Sequence, residues 1–239
     1  MIFSPMSPGG LLAACLLDLV LGDPQGWPHP VRWMGNAISS GERWIRRRVA
    51  TPAGEVFGGG ALAASLIGGS YLCTRLVIAA LSRVHDRLGL LAEILLAWTA
   101  LATRSLLVEA SAVLKALDAR DIDEARRRLS AIVGRDTAFL EEAEIARAVI
   151  ETVAESVCDG IIAPLTYLTL GGVPAAMAYK AINTLDSMVA HPEPPYRYFG
   201  RIAARIDDVA NFVPARGRAI FRRTNETSGS RASYLCAQL

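Results

Sequence analysis

Several groups of polar residues stand at spacings that could do chemistry. The first lies between residues 141 and 159. On a helix at about 100° per residue, Glu144, Arg147, Glu151, Glu155 and Asp159 share an arc of roughly 120°. Four carboxylates stacked with one guanidinium repel each other unless something compensates. A hard cation such as Mg²⁺, which takes carboxylate oxygens, would do so; a solvated acidic face with Arg147 as its counter-charge is the simpler alternative. The second group is KAINTLDSMVAH at residues 180–191. Helical spacing puts Lys180, Asn183, Thr184 and Ser187 on one face with Asp186 beside it. Lysine, amide, hydroxyl and carboxylate together suit a phosphate or nucleotide, although helix-end polarity would read the same.

The third group is RIDDVANFVPAR at residues 205–216. Asp207 and Asn211 are one helical turn apart and Asp208 adjoins them. Such a set can hold Mg²⁺ against phosphates, with Arg205 and Arg216 taking phosphate oxygens in fork geometry. A capped amphipathic helix is the alternative. The proline-rich stretch DPQGWPHPVRWM at residues 23–34 stiffens a loop that carries His29 and Arg32. The GRDT turn at 134–137, with Arg135, can present backbone N–H groups to an anion or simply cap a helix. There is no GxSxG, Walker A, GxGxxG or HExxH pattern, so covalent acyl-enzyme chemistry has no support.

The elements that must position these groups are unusually apolar. Of 239 residues, 52% are hydrophobic and 20% charged, with a mean hydropathy of +0.31. Soluble domains are about 45–50% apolar and about 25% charged. A net charge of +2 gives no basic field for nucleic acid, and the hydrophobic content excludes a disordered chain. Residues 56–74 run 19 positions without a charge, close to the roughly 20 that cross a bilayer. Residues 11–21, interrupted by Asp18, and 88–102, with a single Glu93, predict further apolar helices. Residues 160–179 are uncharged but contain Gly171, Gly172 and Pro174, which predicts two short helices around a break. Residues 105–148 predict two amphipathic helices outside the membrane, with Leu106, Val113, Leu114 and Leu117 on one face, and a third helix beginning near Thr137. Cys15, Cys73, Cys158 and Cys236 lack a CxxC spacing and read as small buried residues. The arginine runs at 46–48, 126–128 and 216–223 place three segments on the cytoplasmic side, with an even number of crossings or re-entrant helices between them.

These stretches together resemble a known family. DLVLGDPQGWPHPVRWMG (18–35), IVGRDTAFLEEAEIARAVIETVAESVCDGIIAPLTYLTLGGVPAAMAYKAINTLDSMV (132–189) and YRYFGRIAARIDDVANFVPAR (196–216) are similar to the CobD/CbiB family of cobalamin biosynthesis. The resemblance implies an all-α, polytopic integral membrane protein of the cytoplasmic membrane, with its active site facing the cytoplasm. It implies an adenosylcobinamide-phosphate synthase, which forms an amide between adenosylcobyric acid and an aminopropanol or ethanolamine phosphate, using ATP and Mg²⁺. Other late-stage cobalamin assembly enzymes are expected partners, and nucleic acid is not. Chemistry then suggests Glu151, Glu155, Lys180 and Asp186 for catalysis, one of the two glutamates taking the amine's proton. It suggests Glu144, Asp159, Asp207, Asp208 and Asn211 for metal, and His29, Arg32, Arg135, Arg147, Asn183, Arg205 and Arg216 for substrate phosphate. Family members continue past the PAR motif with another apolar segment, whereas this chain turns polar. The expectation is therefore one domain over residues 1–220, a disordered tail over 221–239, and a C-terminally truncated or divergent member. A Mg²⁺-dependent membrane prenyl- or phosphotransferase, or a non-catalytic sensor-type relative, are the competing readings.

Overall fold

The computed structural model describes residues 5–23, 26, 28–49, 51–134, 136–191, 193–212 and 214. Arg135, Arg216, the arginine run at 216–223 and the tail at 221–239 lie outside the described residues. Among those described there are helices and no strand. The order is α1 (Pro8–Leu21), α2 (Pro30–Arg46), α3 (Pro52–Val84), α4 (Asp86–Ala100), α5 (Thr103–Asp118), α6 (Ile122–Ser130), α7 (Glu142–Val157), a π-helical turn (Cys158–Ile162) and α8 (Ala163–Val189). A last helix, α9, covers 201–212. The protein is thus an all-helical, polytopic membrane protein.

Local sequence starts each helix. Ser7, His29 and Thr51 each precede a proline at the first helical position, where its missing N–H is harmless. Their side chains accept from Gly10 N at 3.2 Å, Val31 N at 3.3 Å and Gly54 N at 3.2 Å. The expected third amphipathic helix begins at Glu142, not Thr137. Buried Thr137 donates its hydroxyl to Arg126 O at 3.1 Å, and Asp136 Oδ1 takes Ala138 N at 2.9 Å, which holds a turn there. The helix starts only where Glu144 Oε2 accepts Glu141 N at 2.9 Å in a capping box.

Three apolar helical stretches, Pro52–Val84, Asp86–Asp118 and Glu142–Val189, are long and apolar enough to cross a membrane. Only 11% of the apolar window in α3 is buried by protein. Lipid is the natural cover for Leu72, Leu76 and Val77, which are exposed there. At 33 residues, α3 is about 50 Å long, more than the roughly 30 Å hydrocarbon core, so it tilts or projects. Cys158 is buried as expected, but Cys73 is exposed on α3, and Cys236 lies outside the described residues.

The third stretch does not run straight. Gly172 has φ 70° and ψ −168°, a conformation open to glycine, and Pro174 follows. The chain reverses there. Asn183 hydrogen-bonds Asp159 across 24 positions of sequence, and the rings of Tyr167 and Tyr179 stack 4.9 Å apart. Arms 163–171 and 173–189 therefore form a hairpin; the break falls where Gly-Gly-x-Pro predicts it, and the reversal is the structure's addition. Its buried face meets α1 and α4 through Ala14, Ala97, Leu168, Ala176 and Met177.

A second core forms a helical cap from α5, α6 and α7, around Val113, Leu117, Leu129, Ile145 and Val149. Leu114 is not part of this stripe; it is 47% exposed, and Ala116 takes its place. The cap joins the bundle where the helix breaks after Ala100. Thr103 N donates to Asp18 Oδ2 at 2.8 Å, and Ala102 N donates to Gly160 O at 3.1 Å. Asp18 is 1% exposed.

Asp18→Ala should lower unfolding stability in detergent by about 1 kcal/mol, because it removes the partner of the part-buried Thr103 amide, while Asp18→Asn retains an acceptor and loses less. A second expectation concerns His29. Burial lowers its pKa from 6.5, outweighing the Asp23 carboxylate 3.7 Å away. The folded state thus binds fewer protons than the unfolded one, so this stability is present above the unfolded pKa and lost as pH falls below it. Melting between about pH 7.5 and about pH 5.5 should show that loss, and His29→Asn, which keeps a cap without titrating, should flatten it.

Candidate functional site

The hairpin reversal and the π-helical turn bring separated motifs to one place. A cavity of about 580 Å³ opens where α5, α7 and the second arm of α8 meet. Glu155 and Asp159 face it from one side, Lys180, Asn183 and Ser187 from the other. Lys180, Asn183 and Ser187 thus share the face that their spacing predicts, whereas Thr184, expected with them, does not line the cavity and donates its hydroxyl to Lys180 O at 2.7 Å. Asn183 Nδ2 donates to Asp159 Oδ2 at 3.3 Å, which orients that carboxylate. Burial disfavours the Lys180 cation, and the carboxylates of Asp159, Asp23 and Asp18 work against that penalty. Ser105 and Glu109 of α5 complete the polar wall. Those two and Ile132 also line an adjoining cavity of about 950 Å³, which Arg32 borders.

Next to that face of α8, Tyr179 links the third motif to the first two. It is 1% exposed. Its hydroxyl donates to Asn211 Oδ1 at 2.8 Å, and Asn211 Nδ2 donates to Asp207 Oδ2 at 2.9 Å. The Tyr167 hydroxyl, stacked alongside, donates to Ala210 O at 3.0 Å and ties α9 to the hairpin. Burial pushes the Asp207 carboxyl up to about 6, helped by Asp186, Asp159 and Asp208 and opposed by the Asn211 hydrogen bond. Four carboxylates therefore lie within mutual electrostatic reach.

The remaining expected residues fall elsewhere. Glu144 serves the α7 cap, and its 15 residues of separation from Asp159 amount to about 22 Å of helix, so the two do not share one ion. Arg147 and Glu151 are exposed on α7 and do not line the cavity of Glu155. His29 caps α2. Arg205 is exposed on α9, and Asp186 is half-buried beside Asp207. Tyr179, Tyr167, Asp18, Arg104 and Glu109 escaped sequence reasoning. Tyr179 had a signal, since 179, 183 and 186 share one helical face; Asp18 had another, as a lone charge in an apolar helix. Nothing in the local pattern marks Glu109.

Among the described residues, no three His, Cys, Asp or Glu side chains stand close enough to hold a metal alone. Mg²⁺ asks for less: one or two carboxylates, with water and substrate phosphate completing its shell. Asp207 Oδ1 is buried without a hydrogen-bond partner among the described residues. That free carboxylate oxygen, with Asp208 next in sequence, fits such an ion; Glu144, taken up by the α7 cap, does not.

The family model described as CobD/Cbib protein matches residues 11–231. Cobalamin biosynthesis protein CobD of Klebsiella pneumoniae is 51% identical over 209 residues, 86% of this chain and 66% of that protein. The protein of the same name from Citrobacter koseri is 49% identical, over 85% of this chain and 64% of its own length. Cobalamin biosynthesis protein CbiB of Salmonella typhimurium is 48% identical, with 86% and 66% covered. The chain thus spans slightly less than two thirds of the length of these curated relatives. No solved structure matches it. The match over most of its length places this chain in the CobD/CbiB family of cobalamin biosynthesis proteins.

Proposed function

We propose that this chain forms the amide between adenosylcobyric acid and an aminopropanol or ethanolamine phosphate, with ATP as co-substrate and Mg²⁺ as metal. The observation that supports it most is the convergence of Glu155, Asp159, Lys180 and Asn183 on one cavity, in a chain whose relatives are named for cobalamin biosynthesis. Amide formation needs a carboxylate made electrophilic and an amine made neutral. Transfer of the ATP γ-phosphoryl group to the substrate carboxylate gives an acyl phosphate and ADP. Attack by the amine nitrogen then expels phosphate and leaves one proton to be removed.

The residues divide that work. Lys180 offers a cationic partner for the anionic oxygens of the acid and its phosphoryl donor. Glu155, exposed to the cavity, takes the amine's proton. Asn183 holds Asp159 in a fixed orientation at 3.3 Å. Asp207, held by Asn211 and through it by Tyr179, keeps one oxygen without a hydrogen-bond partner among the described residues, which supports a cation there. The Mg²⁺ that Asp207 and Asp208 would hold supplies charge neutralisation at the phosphoryl oxygens. Arg46 to Arg48 precede α3 and the arginines of α6 belong to the cap, an arrangement that supports a cytoplasmic orientation for the cavity.

The test is conversion of adenosylcobyric acid by the purified chain in detergent, followed by mass spectrometry. Product is expected only with ATP, Mg²⁺ and the amino-alcohol phosphate together. Glu155→Gln should lower kcat about 10²–10⁴-fold, and Glu151→Gln should change it little. Equal losses in the two variants, or turnover of a prenyl diphosphate in place of the acid, would sink the reading.

A further inference from the structure

The larger cavity, of about 950 Å³, is lined by three arginines from three different elements: Arg32 of α2, Arg104 of α5 and Arg128 of α6. Asp23 and Glu109 are its two acids, so guanidinium groups outnumber carboxylates there. Arg104 is held in place before any ligand arrives. Its Nη1 donates to Leu19 O at 3.1 Å and to Val20 O, the last carbonyls of α1. Its Cδ packs on Gly22, where an added Cβ would come within 2.8 Å of it. Gly22 also has φ 64°, so a larger residue there would be strained as well as displacing Arg104. Arg128 is held by one edge, Nε to Glu124 Oε1 at 2.7 Å. A guanidinium has five N–H donors in a fixed plane, and one occupied edge fixes where the rest can point.

We infer that Arg32, Arg104 and Arg128 form a phosphate-binding site in the larger cavity. The site seats the phosphorylated end of a substrate while the reacting end reaches Glu155 and Lys180. Ser105, Glu109 and Ile132 line both cavities, so one ligand can occupy both at once. The chemistry recognised is a phosphate ester or a polyphosphate, whether from a nucleotide triphosphate or from an amino-alcohol phosphate. The choice of these ligands, and the placing of the reacting end at Glu155 and Lys180, rest on the proposed function.

The experiment is calorimetric binding to the purified chain in detergent, with ATP, aminopropanol phosphate and inorganic pyrophosphate as probes. Adenosine and free aminopropanol serve as phosphate-free counterparts. Arg104→Gln and Arg128→Gln should each weaken a phosphate probe at least about tenfold and leave its counterpart unchanged. Arg43→Gln, whose guanidinium donates to Ser40 Oγ and does not line this cavity, should bind as the unaltered chain does. A loss confined to ATP identifies the triphosphate as occupant, and one confined to aminopropanol phosphate identifies the monoester. Because Arg104 also holds the end of α1, Arg128→Gln decides the matter should Arg104→Gln fail to fold. Unchanged affinity for every phosphate probe, equal loss for the phosphate-free counterparts, or no phosphate binding by the unaltered chain overturns the site. Amide product with unchanged binding in the variants removes the site and spares the function. Weakened binding in the variants, with no product from the unaltered chain, removes the function and spares the site.

Discussion

Two backbone amides carry the architecture. The helix that begins at Asp86 breaks after Ala100, and a break frees N–H groups that need new partners. Ala102 N finds Gly160 O, and Thr103 N finds the buried Asp18 carboxylate. Each bond crosses elements distant in sequence. Together they join α1, the α4–α5 break and the π-helical turn at a single point. The polar cap of α5, α6 and α7 is attached there, and the cavity of Glu155 and Lys180 opens beside it, with Ala102 and Gly160 in its wall.

The hairpin of α8 is the other half of the arrangement. A straight helix of its length would carry Asp159 and Asn183 about 36 Å apart; the reversal at Gly172 sets them 3.3 Å apart. The stacked rings of Tyr167 and Tyr179 close the two arms together, and their hydroxyls reach α9. Polar groups beside an apolar bundle meet less water, so each hydrogen bond and each charge pair there matters more than on a soluble surface. That is why the Asp207 carboxyl, buried and crowded by other acids, is pushed up to about 6.

Much of this was legible in the sequence wherever a single local rule governs. The uncharged run within α3 and the Gly-Gly-x-Pro break follow from composition and position; the stretch 23–34, read as a loop, turns helical at Pro30, so Arg32 stands on α2. The shared face of Lys180, Asn183 and Ser187 follows from helical spacing, and it survives because that arm is regular. The acidic arc fared less well, since an ideal wheel assumes one helix from Glu144 to Asp159 and one common environment. In the fold, Glu144 is taken up by a cap, Glu151 stays outside, and only Glu155 and Asp159 reach the cavity. Glu109, Tyr179 and Arg104 gain their meaning from contacts made across the chain, which no local periodicity encodes. Leu114 shows the same limit in apolar form: neighbouring positions can each look core-facing until a partner helix selects the stripe.

The central claim is that the cavity between α5, α7 and α8 is where the substrates meet. Its most direct test is the rate of maleimide labelling of Ser156→Cys, in a chain whose four native cysteines are replaced by alanine. Ser156 lines that cavity and carries no chemical role in this account. Saturating adenosylcobyric acid with ATP and Mg²⁺ should slow labelling at least about tenfold, as a filled cavity excludes the reagent. An unchanged labelling rate, in protein that turns those substrates over, would contradict the account.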